Sequence, residues 1–317
     1  MKKEELRIIF MGTPDFAVAS LNALVEANYN IVGVITAPDK PSGRGQKISE
    51  SAVKKYALSK NLNLLQPTNL KDEVFLNELK SLKANLQVVV AFRMLPKAVW
   101  AMPQYGTFNL HASLLPNYRG AAPIHWAIIN GETETGVTTF FIDEKIDTGA
   151  IILREETSIG SDETVGQLHD RLMDMGSELV LKTVEQIQDK TISTTVQSKN
   201  SDLKTAYKLD KDNCKIDWTD NLENIYNKIR GLNPFPAAWC ILKNGDVEQT
   251  VKIYNVEMAK ENHQDEFGKI EPGTNYLKIS VRDGYILIKE IKLSGKRKMD
   301  VKSLLNGYQI KANAKML

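Results

Sequence analysis

Asn109-Leu110-His111 sets an amide and an imidazole two residues apart. In a strand, alternate side chains share a face, so Asn109 and His111 point one way while Phe108 and Leu110 pack the other. The strand ends there, because Pro116 and Gly120 in the following SLLPNYRG (113–120) break a ladder. Ligands of open α/β sheets bind beyond the carboxyl ends of strands. An amide NH₂ and an imidazole N–H at such an end can stabilise a developing oxyanion. By spacing alone, a turn-capping Asn109 beside a hydrogen-bonded surface histidine is the commoner meaning of such a tripeptide. Asp147, in the acidic turn DEKIDTG (143–149), also has two readings. It orients His111 and accepts a proton through water, or it is a loop residue making an Asx-turn.

Other chemistries find little support. His111, His125, His169 and His263 show neither an H-E-x-x-H pattern nor close Cys/His spacing, so no built-in metal is expected. Gly12-Thr13-Pro14-Asp15 lacks two glycines of the dinucleotide fingerprint. Neither a phosphate-cradling P-loop nor a G-x-S-x-G elbow is present. The remaining inventory is polarising donors and a carboxylate, with no nucleophile and no tightly bound cofactor. That suits transfer of a group between two bound substrates.

The elements that position these residues follow an α/β rhythm. Apolar runs at 6–11, 31–36, 62–65, 86–92 and 106–111 read as strands, the fourth apolar enough to be covered on both faces. Between them lie helix-period segments, the first capped by Thr13 with Pro14 opening the helix. A basic, Pro- and Gly-rich loop spans 37–49. A short helix at 123–130, a strand pair at 136–143 and 150–155, and a long amphipathic helix at 163–189 complete this part. A doubly wound, mostly parallel α/β domain is predicted over 1–189. Residues 190–209, polar and without periodicity, read as a linker.

Beyond 210 the pattern changes. One helix near 222–232 precedes short β-rich runs at 238–242, 249–256, 276–280 and 285–293, separated by Asn-Gly, Pro-Gly and Asp-Gly turns. A C-terminal OB-like β-barrel is predicted over 210–317. Net charge is only +2, but from residue 270 onward ten basic residues face four acidic ones. This basic run includes Lys296, Arg297 and Lys298. It reads as a nucleic-acid surface or as scattered surface lysines. Trp218, Trp239 and Phe235 read as packing at the domain junction or in the barrel core. Two cysteines far apart, a charged N-terminus and no long apolar run predict a cytoplasmic protein with no membrane partner.

MGTPDFAVASL (11–21), SLLPNYRGAAPI (113–124), GVTTFFID (136–143), IDTGAII (146–152), KLDKDNCKIDW (208–218) and LNPFPAAW (232–239) carry a more specific signal. Together they resemble the 10-formyltetrahydrofolate-dependent formyltransferase family along the whole chain, and within it the tRNA-modifying members. The resemblance implies that 10-formyltetrahydrofolate is the co-substrate and that the α-amino group of methionyl-tRNA accepts the formyl group. It implies catalytic roles for Asn109, His111 and Asp147, and a folate site lined by Ser113, Leu114, Leu115 and Pro116 opposite Phe92 and Leu95. Arg44, in PDKPSGRGQ (38–46), is implied to reach the acceptor stem, with Lys208, Lys296, Arg297 and Lys298 as further tRNA contacts. A monomer is expected. The sequence departs from many relatives at Arg93, where they have Gly, and at Ala112, also Gly in many. A formyltransferase acting on a small amine is the alternative.

Overall fold

A computed structural model describes residues 2–42, 47–198 and 202–317. In chain order the first part contains β1 (Arg7–Gly12), α1 (Asp15–Glu26), β2 (Asn30–Ile35), β3 (Lys40–Ser42), β4 (Lys47–Ser49), α2 (Ala52–Ser59), β5 (Leu64–Leu65) and α3 (Glu73–Ser81). It continues with β6 (Leu86–Val90), α4 (Lys97–Trp100), β7 (Thr107–His111), β8 (Arg119–Gly120), α5 (Pro123–Ile129), β9 (Glu134–Phe141), β10 (Ile151–Ser158) and α6 (Val165–Asp189). Seven of these strands form one sheet in the order β10-β9-β7-β6-β1-β2-β5. Its pairs from β5 to β7 are parallel, and β9 joins β7 antiparallel. The doubly wound sheet expected from the alternation is therefore present.

The β6 run LQVVV is buried at every position, because both faces of a parallel strand are covered. On one face Ile9, Met11, Ile35, Phe75, Leu79, Val89 and Leu95 form a common core. α6 closes on β7 where Gly176 leaves room. A Cβ there would lie 2.7 Å from Leu110 Cδ2. Thr183 of α6 meets Thr139 of β9 through their hydroxyls at 2.8 Å. The start of α1 differs from expectation. Pro14, not Thr13, occupies the cap position, and Asp15 Oδ1 accepts from the Phe16 N–H at 3.0 Å.

The chain divides into two compact units: Met1–Pro123, Thr135–Thr157 and His169–Thr205 in one, and Ile124–Glu134, Ser158–Leu168 and Ala206–Leu317 in the other. In the second unit, two antiparallel sheets share one core containing Leu242, Val251, Ile253, Ile279, Ile286 and Ile288. Strand Gly284–Ile288 belongs to one sheet and Glu290–Leu293 to the other, and a Lys269–Lys315 bridge joins the sheets again. This is the barrel that the short strands predict. Its helix α7 (Leu222–Leu232) is capped by the Asn221 side chain, which accepts from the Asn224 N–H. Arg230 of α7 is buried. Its Nη1 donates to the Gly160 and Glu163 carbonyls at 3.1 and 3.0 Å, and its Nε to Asn227 Oδ1 at 2.8 Å. Those bonds explain why 158–168 packs with this unit. A further short helix is α8 (Val301–Leu305).

Candidate active site

β7 delivers the two donor candidates as its alternation requires. Phe108 and Leu110 are buried, while Asn109 keeps exposed surface. Asn109 lies between Val89 of β6 and Phe140 of β9. Its amide has no hydrogen-bond partner among the described residues, so its donors are uncommitted. His111 is two residues on, roughly 7 Å along the strand.

The segment after β7 is locked in place. The Thr138 hydroxyl donates to the Ser113 carbonyl at 2.6 Å and accepts from the Leu115 N–H at 3.2 Å. The Ser113 hydroxyl donates to the Asn117 carbonyl at 2.8 Å. The chain then turns through Tyr118, whose φ of 61° brings its carbonyl to His111 Nε2 at 2.8 Å. A carbonyl only accepts, so Nε2 carries the hydrogen. This changes the expected role of the imidazole. Nδ1 is the nitrogen left for substrate, and it donates only when the ring is an imidazolium.

Nδ1 faces Asp147, with Oδ2 at 3.9 Å. That exceeds a hydrogen bond and leaves the ring nitrogen and the carboxylate facing one another across a short gap. The DTG turn sets this approach. Asp147 has φ 53°, and its Oδ2 also accepts from the Gly120 N–H at 2.9 Å. At Gly149 a Cβ would sit 1.6 Å from the Phe141 carbonyl oxygen, so only glycine lets the loop lie against β9. Asp143 ties the other end, accepting from Thr148 Oγ1 at 2.8 Å and from the Lys145 N–H at 3.0 Å. This is the Asx-turn read from sequence, but it belongs to Asp143 and leaves the Asp147 carboxylate available.

A residue missed in the sequence completes the frame. Gln197 is buried in the segment read as a linker. Its Nε2 donates to the carbonyls of Asp147 and Gly149, and its Oε1 accepts from Arg119 Nε and Nη2 at 3.1 and 2.6 Å. Nothing in its neighbourhood signals this: a lone amide in a polar stretch carries no periodicity.

Of the expected folate residues, Leu114 and Pro116 keep exposed surface, whereas Ser113 and Leu115 face inward. Leu115 packs with Phe140 and Ile151. Phe92 is half-buried and Leu95 buried against the core of the sheet. Arg93 braces this wall. Its guanidinium donates to the Thr68 carbonyl at 3.0 Å and to the Pro67 carbonyl, and lies 5.6 Å from the Phe92 ring centroid.

In the second unit Lys208, Lys296, Arg297 and Lys298 are exposed. Lys298 also pairs with Glu290 at 3.0 Å. Lys252 and Lys292 stand directly opposite on paired strands, and the Lys252 ammonium donates to the Pro236 carbonyl at 2.8 Å. Arg44 lies outside the described residues. Trp218 is buried in the barrel core, as expected, but Phe235 belongs to no core: 77% of it is exposed. Both cysteines are buried, and burial pushes the Cys240 thiol up to about 12 and raises Cys214, so neither is an activated nucleophile.

The described residues thus bring together a carboxylate–imidazole pair and an uncommitted amide where β7 ends, and both cysteines lie buried elsewhere. Comparison with known proteins gives this arrangement a family. Residues 6–184 match the formyl transferase family and 208–309 its C-terminal domain; the chain belongs to that family. The methionyl-tRNA formyltransferase of Flavobacterium johnsoniae is 61% identical over 313 residues, covering 99% of each chain. That of Bacteroides thetaiotaomicron is 50% identical over 321 residues, covering all of both. Among solved structures, the N-formyltransferase from Helicobacter canadensis, complexed with folinic acid and dTDP-3-aminofucose, superposes with a TM-score of 0.66. It is 23% identical, over 92% of this chain and 99% of its own, a likeness of fold.

Proposed function

We propose that the chain transfers the formyl group of 10-formyltetrahydrofolate to the α-amino group of methionyl-tRNA, giving N-formylmethionyl-tRNA for translation initiation in the cytoplasm. The observation that carries this reading is the uncommitted Asn109 amide beside the His111–Asp147 pair, in a chain 61% identical to a relative of that name. The neutral amine attacks the formyl carbon, and negative charge gathers on the formyl oxygen. Asn109 Nδ2–H donates to that oxygen, and His111, its ring held by the Tyr118 carbonyl with Asp147 beside Nδ1, stabilises the same charge. Collapse breaks the bond to the folate nitrogen. The proton lost by the amine, relayed through water at Asp147, ends on that nitrogen. Charge stabilisation by fixed donors is the main demand of such a step.

Ser113, Leu114, Leu115, Pro116, Phe92 and Leu95 would form the folate site, 1–189 the catalytic domain, and 210–317 the tRNA-binding domain. Arg44, Lys208, Lys296, Arg297 and Lys298 would contact the RNA backbone, Arg44 from the loop at 38–46. A monomer suffices, since each role falls to one chain. The test is incubation with labelled 10-formyltetrahydrofolate and either methionyl-tRNA or small amines such as amino-sugar nucleotides and glycinamide ribonucleotide. Label on methionyl-tRNA supports the reading; label on a small amine alone replaces it with the alternative.

A further inference from the structure

We propose that Phe235 and Tyr207, held from behind by His125 and Trp126, form a stacking platform for an unpaired nucleobase of the single-stranded 3′ end of the acceptor RNA. The proposal rests on the methionyl-tRNA reading above. Phe235 and Tyr207 are 77% and 63% exposed, unusual for rings of that size. Neither is exposed because its chain is loose. The His125 Nε2–H donates to the Phe235 carbonyl at 3.2 Å, and the Trp126 Nε1–H to the Tyr207 carbonyl at 2.8 Å. Two successive residues of α5 thus clamp the backbones beneath two rings and leave the rings outward. Trp126 also meets Tyr207 edge to face at 5.9 Å between centroids, which fixes the plane of the tyrosine. The Tyr207 hydroxyl has no hydrogen-bond partner among the described residues, and neither does the exposed ammonium of the adjacent Lys208.

Exposed rings on anchored backbone, with a cation next to Tyr207 in the chain, match a nucleobase and its phosphate. Aromatic faces accept any base, and an unpaired end offers its bases without the cost of unstacking a duplex. A protein partner would call for a continuous aliphatic patch. Here the chain neighbours are Pro234 and Pro236 beside Phe235, and the buried Ala206 and exposed Lys208 beside Tyr207, with no run of long aliphatic side chains.

The experiment compares the wild-type chain with the Phe235→Ala/Tyr207→Ala double variant, both positions being exposed enough for the fold to tolerate the change. Steady-state formylation should show the KM for methionyl-tRNA raised about tenfold or more, with the KM for 10-formyltetrahydrofolate and kcat retained. Phe235→Trp/Tyr207→Phe, which keeps planar rings, should restore it, and Phe235→Leu/Tyr207→Leu should not. In direct titration the wild type should bind an acceptor-stem duplex with a 3′ single-stranded tail more tightly than a blunt one, and the alanine variant should not discriminate. An unchanged KM, or rescue by leucine equal to that by aromatics, overturns the platform. Should the wild type formylate no methionyl-tRNA, the functional reading fails by itself. The titration then decides the platform alone: tail preference lost in the variant upholds it, and no tail preference in the wild type overturns it.

Discussion

Gln197 holds Asp147 by its main chain, with Nε2 donating to the Asp147 carbonyl at 3.0 Å while Oε1 takes both hydrogen bonds from Arg119. The amide thus spends its groups on fixing a turn whose carboxylate must face His111. Replacing it with leucine leaves two carbonyls and a guanidinium without their partner. Gln197→Leu should lower stability by about 1–3 kcal/mol in denaturant unfolding. It should also lower kcat by roughly 10- to 100-fold through misplacement of Asp147, with both KM values near normal. Full kcat in a destabilised variant would make Gln197 a structural residue only.

Arg93 bridges the wall at 92–95 to the carbonyls of Pro67 and Thr68. If that wall holds the pteridine, Arg93→Ala should raise the KM for 10-formyltetrahydrofolate about fivefold, the equivalent of about 1 kcal/mol. The KM for methionyl-tRNA and kcat should be retained. Separate titration of the two substrates measures this, and an equal rise in both would place Arg93 elsewhere in the mechanism.

Tyr226 of α7 donates to Asp162 Oδ1 at 2.8 Å, and burial first, then that bond, pushes its phenol up to about 12. The folded state therefore favours the neutral form more than the unfolded chain does. Its contribution is fully present below about pH 10, the unfolded value, and is lost as pH rises through the folded one. Unfolding at successive alkaline pH values should show this decline, and Tyr226→Phe should flatten it. A slope unaltered in the variant would assign the alkaline loss to other groups.

Lys296 and Arg297 are exposed and have no acidic partner among the described residues, unlike Lys298. If both meet RNA phosphates, the Lys296→Ala/Arg297→Ala variant should bind methionyl-tRNA more weakly. Its plot of log affinity against log salt should be shallower by about 2, roughly one for each phosphate no longer neutralised. Parallel salt plots for variant and wild type would remove these two residues from the interface.

What the sequence makes legible here follows from periodicity and turn chemistry. Alternation along 107–111 places Asn109 and His111 on one face, and the βαβ rhythm marks a doubly wound sheet. The Tyr118 carbonyl and Gln197 were out of reach, because a backbone acceptor and an isolated amide leave no pattern. Phe235 was misassigned for a related reason. An aromatic between two prolines looks like packing, and only the His125 bond to its carbonyl reveals a ring held outward. Thr13 lost the helix cap to Pro14 because the chain stays extended one residue further than composition suggests.

Single-turnover formylation of methionyl-tRNA by Asn109→Ala tests the central claim most directly. The amide has no hydrogen-bond partner among the described residues, so its removal should leave stability and the binding of both substrates unchanged. The rate of the chemical step should fall by about 10²–10³-fold, the loss of one oxyanion donor. A rate within a few-fold of wild type at saturating substrates would contradict the oxyanion role of the Asn109-Leu110-His111 strand end.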